Sequence, residues 1–329
     1  MEKLLVTGGA GYIGSHVVKD LIKKGYDVIV IDNLEKGHRS AVKSKYFYKI
    51  DLKDKGSLEK IFESFKIKGI LHFAAASLVG ESMTNPGKYF ENNILGGLNL
   101  LECMVKYDVK FLIFSSTAAV YGEPKVIPIP EDHPTIPTNV YGSSKLMFEE
   151  ILKWYEKIFG IKYMSLRYFN AAGCDPEGEL GEDHNPETHL IPLILKTALG
   201  QRNYVEIYGT DYPTPDGTCI RDYIHISDLS SAHILALEAL LSGESSNIYN
   251  LGNSRGFSVR EVIKTAEKVV GERIPVKEVG RRVGDPAILI ASSEKIKKDL
   301  GWNPQYSDLE KIIESHWKWL KNHPNGYPD

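Results

Sequence analysis

The sequence predicts an α/β protein, built as a doubly wound parallel sheet followed by a smaller C-terminal α/β lobe. Three observations carry this prediction. Short, nearly continuous apolar runs alternate with helix-period segments through the first half. A glycine-rich turn joins the first apolar run to the first helical segment. After residue 172 the alternation stops at a loop rich in Gly, Pro and acidic residues, and shorter elements follow.

The strand candidates in the first half are residues 3–6, 27–31, 46–50, 69–73, 110–115 and 163–168. They lack polar alternation, as strands covered by helices on both faces should. Between the first two, Ile13, Val17, Val18, Leu21 and Ile22 recur at helical spacing, and Gly25 stands where a helix-ending glycine belongs. Residues 57–66, 87–106 and 141–159 read as further helices. Alternating strand and helix units give parallel strands with right-handed crossovers. In the C-terminal part, residues 248–251 read as one more strand. Ser258-Val259-Arg260-Glu261 is a capping box that opens a helix through Val270. The expected organisation is a first domain over residues 1–172, with a return segment near 220–250, and a smaller lobe over 173–329.

The 329 residues suit about two domains at roughly 150 each. Apolar residues at 42% and charged residues at 25% exclude a disordered chain. A net charge of −3 gives no global attraction to nucleic acid or anionic lipid. The cluster Lys36, Arg39, Lys43, Lys45 and Lys49 reads as a solvated face. Cys103, Cys174 and Cys219 lie far apart with no CxxC, which is neither a disulfide framework nor a zinc cluster and suits a reducing cytosol. The apolar run Leu4-Leu5-Val6 is far shorter than the signal-peptide core, and no stretch approaches a membrane span. A soluble, cytoplasmic protein is expected.

Gly8, Gly11 and Gly14 are spaced as GxxGxxG between the first strand and the first helix. Glycines there permit a tight turn and close backbone approach, and the helix N-terminus receives a pyrophosphate. This makes the first domain a Rossmann-type dinucleotide site. Asp32 ends the second strand, where a carboxylate accepts hydrogen bonds from ribose hydroxyls and repels a 2′-phosphate. That favours NAD, while Lys36 and Arg39 nearby keep NADP as an alternative. Asp51-Leu52 ends the third strand, where the adenine would lie; an ordinary strand end is the other reading of Asp51.

Tyr141-Gly142-Ser143-Ser144-Lys145 is YxxxK on an expected helix, so Tyr141 and Lys145 share one face. A cation beside the phenol stabilises phenolate, and this makes Tyr141 a general-base candidate. The preceding strand ends in Phe114-Ser115-Ser116-Thr117, which offers a hydroxyl to a substrate hydroxyl undergoing oxidation.

These motifs, in this order, resemble the extended short-chain dehydrogenase/reductase family, and within it the UDP-hexose 4-epimerases, over essentially the whole chain. The resemblance rests on Thr7-Gly8-Gly9-Ala10-Gly11-Tyr12-Ile13-Gly14-Ser15-His16, His72-Phe73-Ala74-Ala75, Val79-Gly80-Glu81-Ser82 and Phe114-Ser115-Ser116-Thr117. It continues through Arg167-Tyr168-Phe169-Asn170, Gly181-Glu182-Asp183, Asp211-Tyr212-Pro213-Thr214, Gly217-Thr218 and Arg221-Asp222-Tyr223-Ile224-His225. It closes on Arg281-Arg282-Val283-Gly284-Asp285 and His323-Pro324-Asn325-Gly326-Tyr327-Pro328-Asp329.

The resemblance implies reversible epimerisation at C4 of UDP-hexoses, glucose to galactose, through a 4-keto sugar and bound NAD. It implies that Tyr141 removes the proton of the sugar 4-hydroxyl, that Lys145 holds the nicotinamide ribose and biases Tyr141 toward phenolate, and that Thr117 is the accompanying hydroxyl. It matches Tyr12, Ile13, Asp32, Asn33, Asp51, Leu52, Phe73, Ala74, Asn92 and Phe169 to NAD-contacting positions. Asn170, Leu190, Tyr208, Arg221, Arg282 and Asp285 match positions around the UDP moiety, where Arg forks suit a pyrophosphate. It also implies a homodimer through the helices 87–106 and 141–159, with Ile94, Leu98, Leu101 and Val105 on one and Leu146, Phe148, Ile151, Leu152 and Tyr155 on the other.

Two departures stand out. Ser77 replaces a cofactor-reaching Lys, and Leu289 occupies a gate beside the sugar 2-position that is a bulky Tyr in strict enzymes. A shorter Leu leaves room for an N-acetyl group, which extends the expected substrates to UDP-N-acetylglucosamine. Competing readings are another NAD-dependent nucleotide-sugar epimerase, a nucleotide-sugar 4,6-dehydratase, whose acid and base would stand where Ala118 and Ala119 do, and a non-catalytic NAD-sensing protein, which needs no Tyr–Lys pair. Asp183, His184, Glu187 and His189 read as loop side chains rather than metal ligands, because their spacing fits no single helix face, and no metal is expected.

Overall fold

The computed structural model describes residues 2–282 and 284–328. Val283 of the Arg281-to-Asp285 motif and Asp329 of the closing motif lie outside the described residues.

The chain begins β1 (Lys3–Thr7), α1 (Tyr12–Lys23), β2 (Val28–Asp32), β3 (Tyr46–Lys49), α2 (Lys55–Ser64) and β4 (Ile67–His72). Next come α3 (Val79–Ser82), α4 (Pro86–Phe90), α5 (Gly96–Lys106), β5 (Phe111–Thr117), α6 (Val140–Phe159), β6 (Lys162–Tyr168) and β7 (Asn170–Ala172). The C-terminal part holds α7 (Leu190–Ala198), β8 (Val205–Tyr208), β9 (Ile220–His225), α8 (Ile226–Leu241), β10 (Asn247–Leu251) and β11 (Gly256–Ser258). It ends with α9 (Val259–Val270), β12 (Val276–Val279), β13 (Ile288–Leu289), α10 (Glu294–Leu300) and α11 (Leu309–Asn322).

Seven strands form one parallel sheet in the order β10-β6-β5-β4-β1-β2-β3. The strand direction of build-up reverses between β1 and β4, which opens a crevice at their C-terminal ends. Successive side chains of a strand face opposite sides, and β1 shows the consequence. Leu4 and Val6 pack with Val17, Val18 and Leu21 of α1 and Leu229 and Leu237 of α8. Leu5 faces the other way, into a core with Leu58 of α2, Leu100 of α5 and Phe148 of α6. The expected seven strands are all present, with ends moved by one or two residues. Gly25, with φ +90°, follows the end of α1 and takes the left-handed turn that side chains resist.

One expected element differs. Residues 87–106 are not one helix: a π turn over Glu91–Leu95 separates α4 from α5. The wider turn carries the Asn93 side chain under the sheet edge, where it accepts from Ala76 N at 2.8 Å and donates to Ala76 O at 3.0 Å and Ser144 Oγ at 2.9 Å. Such bulges gather at functional sites.

A second, smaller sheet contains β11, β9, β13 and β7, and β8 pairs with β12. Ile194 of α7, Val262 of α9 and Ile312 of α11 centre a separate core there. The capping box at Ser258 and Glu261 forms as expected. The three cysteines are free and buried. No helix among the described residues is long and apolar enough to cross a membrane.

Candidate active site

The glycine turn opens the site. Gly8 has φ +70°, and a Cβ there would meet Ala74 N at 2.5 Å. At Gly14 a Cβ would meet Gly8 O at 2.2 Å, so the helix packs against the turn at a distance that only glycine allows. Gly11 differs: a Cβ there would meet only Gly8 O, at 3.4 Å, and would otherwise project into the cavity it lines. No side chain caps the N-terminus of α1, so its first amides face this cavity. Unpartnered amides and a positive helix end fit a pyrophosphate.

Asp32, at the end of β2, is held from behind. Its Oδ2 accepts from Ala10 N at 3.0 Å and its Oδ1 from Leu34 N at 2.8 Å. Burial raises this carboxyl above the usual range, and the two amides oppose the rise. The carboxylate keeps free lone pairs toward the cavity, which fits a ribose diol. Asn33 Nδ2 reaches Asp51 Oδ2 at 3.2 Å and links the ends of β2 and β3. Arg39, one of the two residues that kept NADP open, stacks on the Phe47 ring at 4.6 Å.

Every cofactor position expected from the sequence, from Gly8 to Phe169, lines one cavity of about 400 Å³, together with Thr117, Tyr141, Lys145 and Asn170. Ser77 lines it as well. Tyr141 and Lys145 lie one turn apart on α6, above the end of β5. Burial raises the Tyr141 phenol, and a hydrogen bond with Thr117 opposes the rise.

Lys145, expected beside the Tyr141 phenol, carries a hydrogen bond of its own. Its ammonium turns to the Ser115 carbonyl at 2.8 Å and lies over the Phe114 ring at 4.9 Å. Burial pulls Lys145 down to about 7, with Glu149 opposing.

Below Lys145, Glu149 is buried and takes Arg167 at both oxygens, Nε to Oε1 at 3.0 Å and Nη2 to Oε2 at 2.5 Å. Ser116 Oγ also donates to Glu149, at 2.5 Å. Arg167 continues to Tyr121, and Tyr121 to Asn250 Oδ1 at 2.7 Å. This network pins α6 to β5 and β6. Glu149, Arg167, Ser115 and Asn93 were missed from the sequence. For Glu149 a signal existed: it repeats the four-residue step from Tyr141 to Lys145.

The remaining substrate positions form a second group, off the walls of this cavity. Arg221 Nη2 pairs with Asp285 Oδ1 at 3.1 Å, and the Arg282 guanidinium lies 3.9 Å over the Tyr208 ring. The two groups are tied through β9: Asn170 Nδ2 donates to Asp222 O at 2.9 Å, beside Arg221. Leu190 begins α7 directly after His189, which lines the cavity. Leu289 pairs in register with Arg221 and packs against the cluster that holds Phe169 and Ala118.

Residues 4–252 match the NAD dependent epimerase/dehydratase family. The chain belongs to this family. It is 55% identical to the UDP-glucose 4-epimerase of Halalkalibacterium halodurans, over 98% of this chain and 97% of that one. It superposes on the UDP-glucose 4-epimerase of Bifidobacterium longum, solved in complex with NAD⁺ and UDP, with a TM-score of 0.94 and 40% identity over 99% and 100% of the two chains. The UDP-Glc/GlcNAc 4-epimerase of Campylobacter jejuni aligns with a TM-score of 0.86 and 43% identity, over 98% and 100%. For a member of this NAD-dependent family, the glycine turn, the uncapped helix and Asp32 are the parts that fit the dinucleotide. Ala118 and Ala119 follow Thr117 in a short 3₁₀ turn, so no acid–base pair for elimination stands there.

Proposed function

We propose that this chain is a UDP-glucose 4-epimerase, an isomerase that interconverts UDP-glucose and UDP-galactose through a 4-keto sugar while NAD stays bound. The observation that carries the reading is the convergence of Tyr141, Thr117 and Lys145 on the dinucleotide cavity, next to alanines at the two positions a dehydratase would use.

Bound NAD supplies reversible acceptance of the C4 hydrogen with its electron pair. The chain's own residues do the rest. Tyr141 takes the 4-hydroxyl proton and returns it. Thr117 donates a hydrogen bond that favours the phenolate at that moment. Lys145, held by the Ser115 carbonyl, orients the nicotinamide ribose. Gly8, Gly11 and Gly14 let the pyrophosphate approach, and Asp32 holds the adenosine ribose. Arg221 and Arg282 grip the diphosphate, with Asn170, Leu190, Tyr208 and Asp285 around the nucleoside. Binding energy placed at UDP leaves the sugar free to turn and to take the hydrogen back on its other face.

The reading keeps residues 1–172, with the return segment near 220–250, as the nucleotide domain and 173–329 as the sugar-nucleotide lobe. It places the protein in the cytoplasm as a homodimer. Of the residues expected on the dimer face, Leu101, Phe148 and Leu152 are buried in the sheet core and Ile94, Leu98, Val105, Leu146, Ile151 and Tyr155 are half-buried, while Met147, Trp154 and Ile158 are exposed along α6 and extend the proposed face. Leu289 extends the substrates to UDP-N-acetylglucosamine, since Leu ends short of where a phenol would reach.

The test is product analysis. Purified protein incubated with UDP-galactose and no added nucleotide should form UDP-glucose until equilibrium. A 4-keto-6-deoxy product, or no conversion without external NADP, would contradict the reading.

A further inference from the structure

The segment Gly181 to Leu190 assembles a group that the sequence reading set aside as loop side chains, with one member exchanged. Asp183 is not in it: its Oδ2 accepts from Tyr327 N at 2.9 Å and serves the C-terminal motif. Glu182 stands in its place. Ligand atoms of Glu182, His184, Glu187 and His189 all lie within 4.8 Å of one another. The Glu182 and Glu187 side chains are 1% and 4% exposed.

The polar atoms at this centre lack partners. Both oxygens of Glu182, Oε2 of Glu187 and Nδ1 of His184 have no hydrogen bond of good geometry, and the positive charge within reach of the carboxylates is that of the two imidazoles, with His189 Nδ1 2.9 Å from Oε1 of each glutamate. Buried anions in this condition are costly unless a cation stands among them. Elsewhere in the fold this need is met by a side chain: Asp175 and Glu177 share Lys19 at 2.7 Å each. No Lys or Arg reaches Glu182 or Glu187 among the described residues.

The spacing also fits an ion. His184 Nδ1 is 3.4 Å from Glu182 Oε1 and 3.5 Å from Glu187 Oε2. His189 Nδ1 is 2.9 Å from Oε1 of each glutamate. A tetrahedron with metal–ligand bonds of about 2.0–2.2 Å has edges of about 3.3 Å. The two His184 separations match that edge, and the two His189 separations fall about 0.4 Å short of it, so an ion entering the group has to spread His189 from the glutamates. The buried His316, with both ring nitrogens unpartnered, stands 3.8 Å from Glu182 Oε2, where an outer donor would hold a ligating carboxylate.

We propose that Glu182, His184, Glu187 and His189 bind one divalent transition-metal ion of the zinc class. Two imidazoles and two carboxylates suit zinc in donor type and number. The ion neutralises two carboxylates at the rim of the cavity and locks the loop that leads into α7. Glu182, His184 and His189 line that cavity, and the His184 ring meets the Tyr12 ring at 6.1 Å. The ion therefore cancels two negative charges next to the helix end that faces the dinucleotide.

The experiment uses the full chain with its bound nucleotide, stripped with chelator and titrated with ZnCl₂. Calorimetry and elemental analysis should give one zinc per chain, and the thermal midpoint should rise on loading. Glu182→Gln and His184→Ala should each weaken binding at least ~100-fold and abolish the rise. His189→Ala, at a half-exposed position, tests the site if either of those variants misfolds. Cobalt(II) in place of zinc should give tetrahedral d–d absorption in the wild type only. A wild-type chain that takes up no stoichiometric zinc, with imidazolium alone neutralising the carboxylates, overturns the proposal. So does a full equivalent retained by all three variants.

Discussion

Glu149 receives both arms of the Arg167 guanidinium one turn below Lys145. The pair is almost fully enclosed, and it joins the helix that carries Tyr141 to strand β6 of the parallel sheet. Removing one partner of such a pair leaves an uncompensated buried charge, at a cost of about 3–5 kcal/mol. Glu149→Ala should therefore lower unfolding free energy by about that much in denaturant titrations. Glu149→Gln, which keeps one acceptor oxygen, should lose less. A change within a few tenths of a kcal/mol for Glu149→Ala would show that the pair does not anchor α6.

Lys145 gives a pH signature. Burial, opposed by Glu149, sets its folded value at about 7 against an ordinary 10.5. Between those values the unfolded chain binds the proton and the folded chain does not, so stability rises with pH across that window. Below about 7 both states are protonated and the burial penalty is fully present. Relative to a Lys145→Met variant, the wild type should gain on the order of a few kcal/mol between pH ~7 and ~10. Parallel pH profiles for the two proteins would refute the depressed ammonium.

The cofactor half of the site was legible because it rests on local rules. A glycine turn between a strand and a helix, and a carboxylate at the next strand end, are backbone devices that short sequence windows encode. The π turn at Glu91–Leu95 was not legible, because side-chain bonds from Asn93 to Ala76 and Ser144 select it over a continuous helix. The Glu182–His189 cluster was hidden for a similar reason. Its four residues share no helix or strand period, and only the loop's path across the core swaps Glu182 for Asp183. The Ser115 carbonyl as an acceptor for Lys145 was not legible either: helical spacing puts Lys145 near Tyr141 but carries no sign of a backbone acceptor at the end of β5.

The exposed apolar residues of α6 predict an association face. Met147, Trp154 and Ile158 are spaced 7 and 4 apart, which keeps them on one side of the helix. Light scattering at micromolar concentration should report a dimer. Trp154→Glu should shift it toward monomer, since a charge at the centre of an apolar contact is costly to bury. A wild-type monomer, or a variant dimer of unchanged affinity, would remove this face from the account.

We propose that Leu289 sets the breadth of the sugar pocket. It sits half-buried on β13 against the cluster that holds Phe169, which lines the cavity, and a larger ring there would take up space beside it. Leu289→Tyr should reduce kcat/KM for UDP-N-acetylglucosamine at least ~10-fold, about 1.4 kcal/mol, and leave UDP-glucose within a few-fold. Steady-state rates on both pairs check this. Equal rates with and without the ring would mean that Leu289 does not gate the 2-position.

The most direct measurement follows the C4 hydrogen. UDP-galactose carrying deuterium at C4 is incubated in ordinary water with the purified protein and with Tyr141→Phe. The account predicts UDP-glucose that keeps the deuterium at C4, with none released to solvent. It also predicts a rate at least ~100-fold lower in the variant, since Tyr141 moves only the hydroxyl proton. Deuterium washed out into water, or a Tyr141→Phe variant with near-normal turnover, would contradict it.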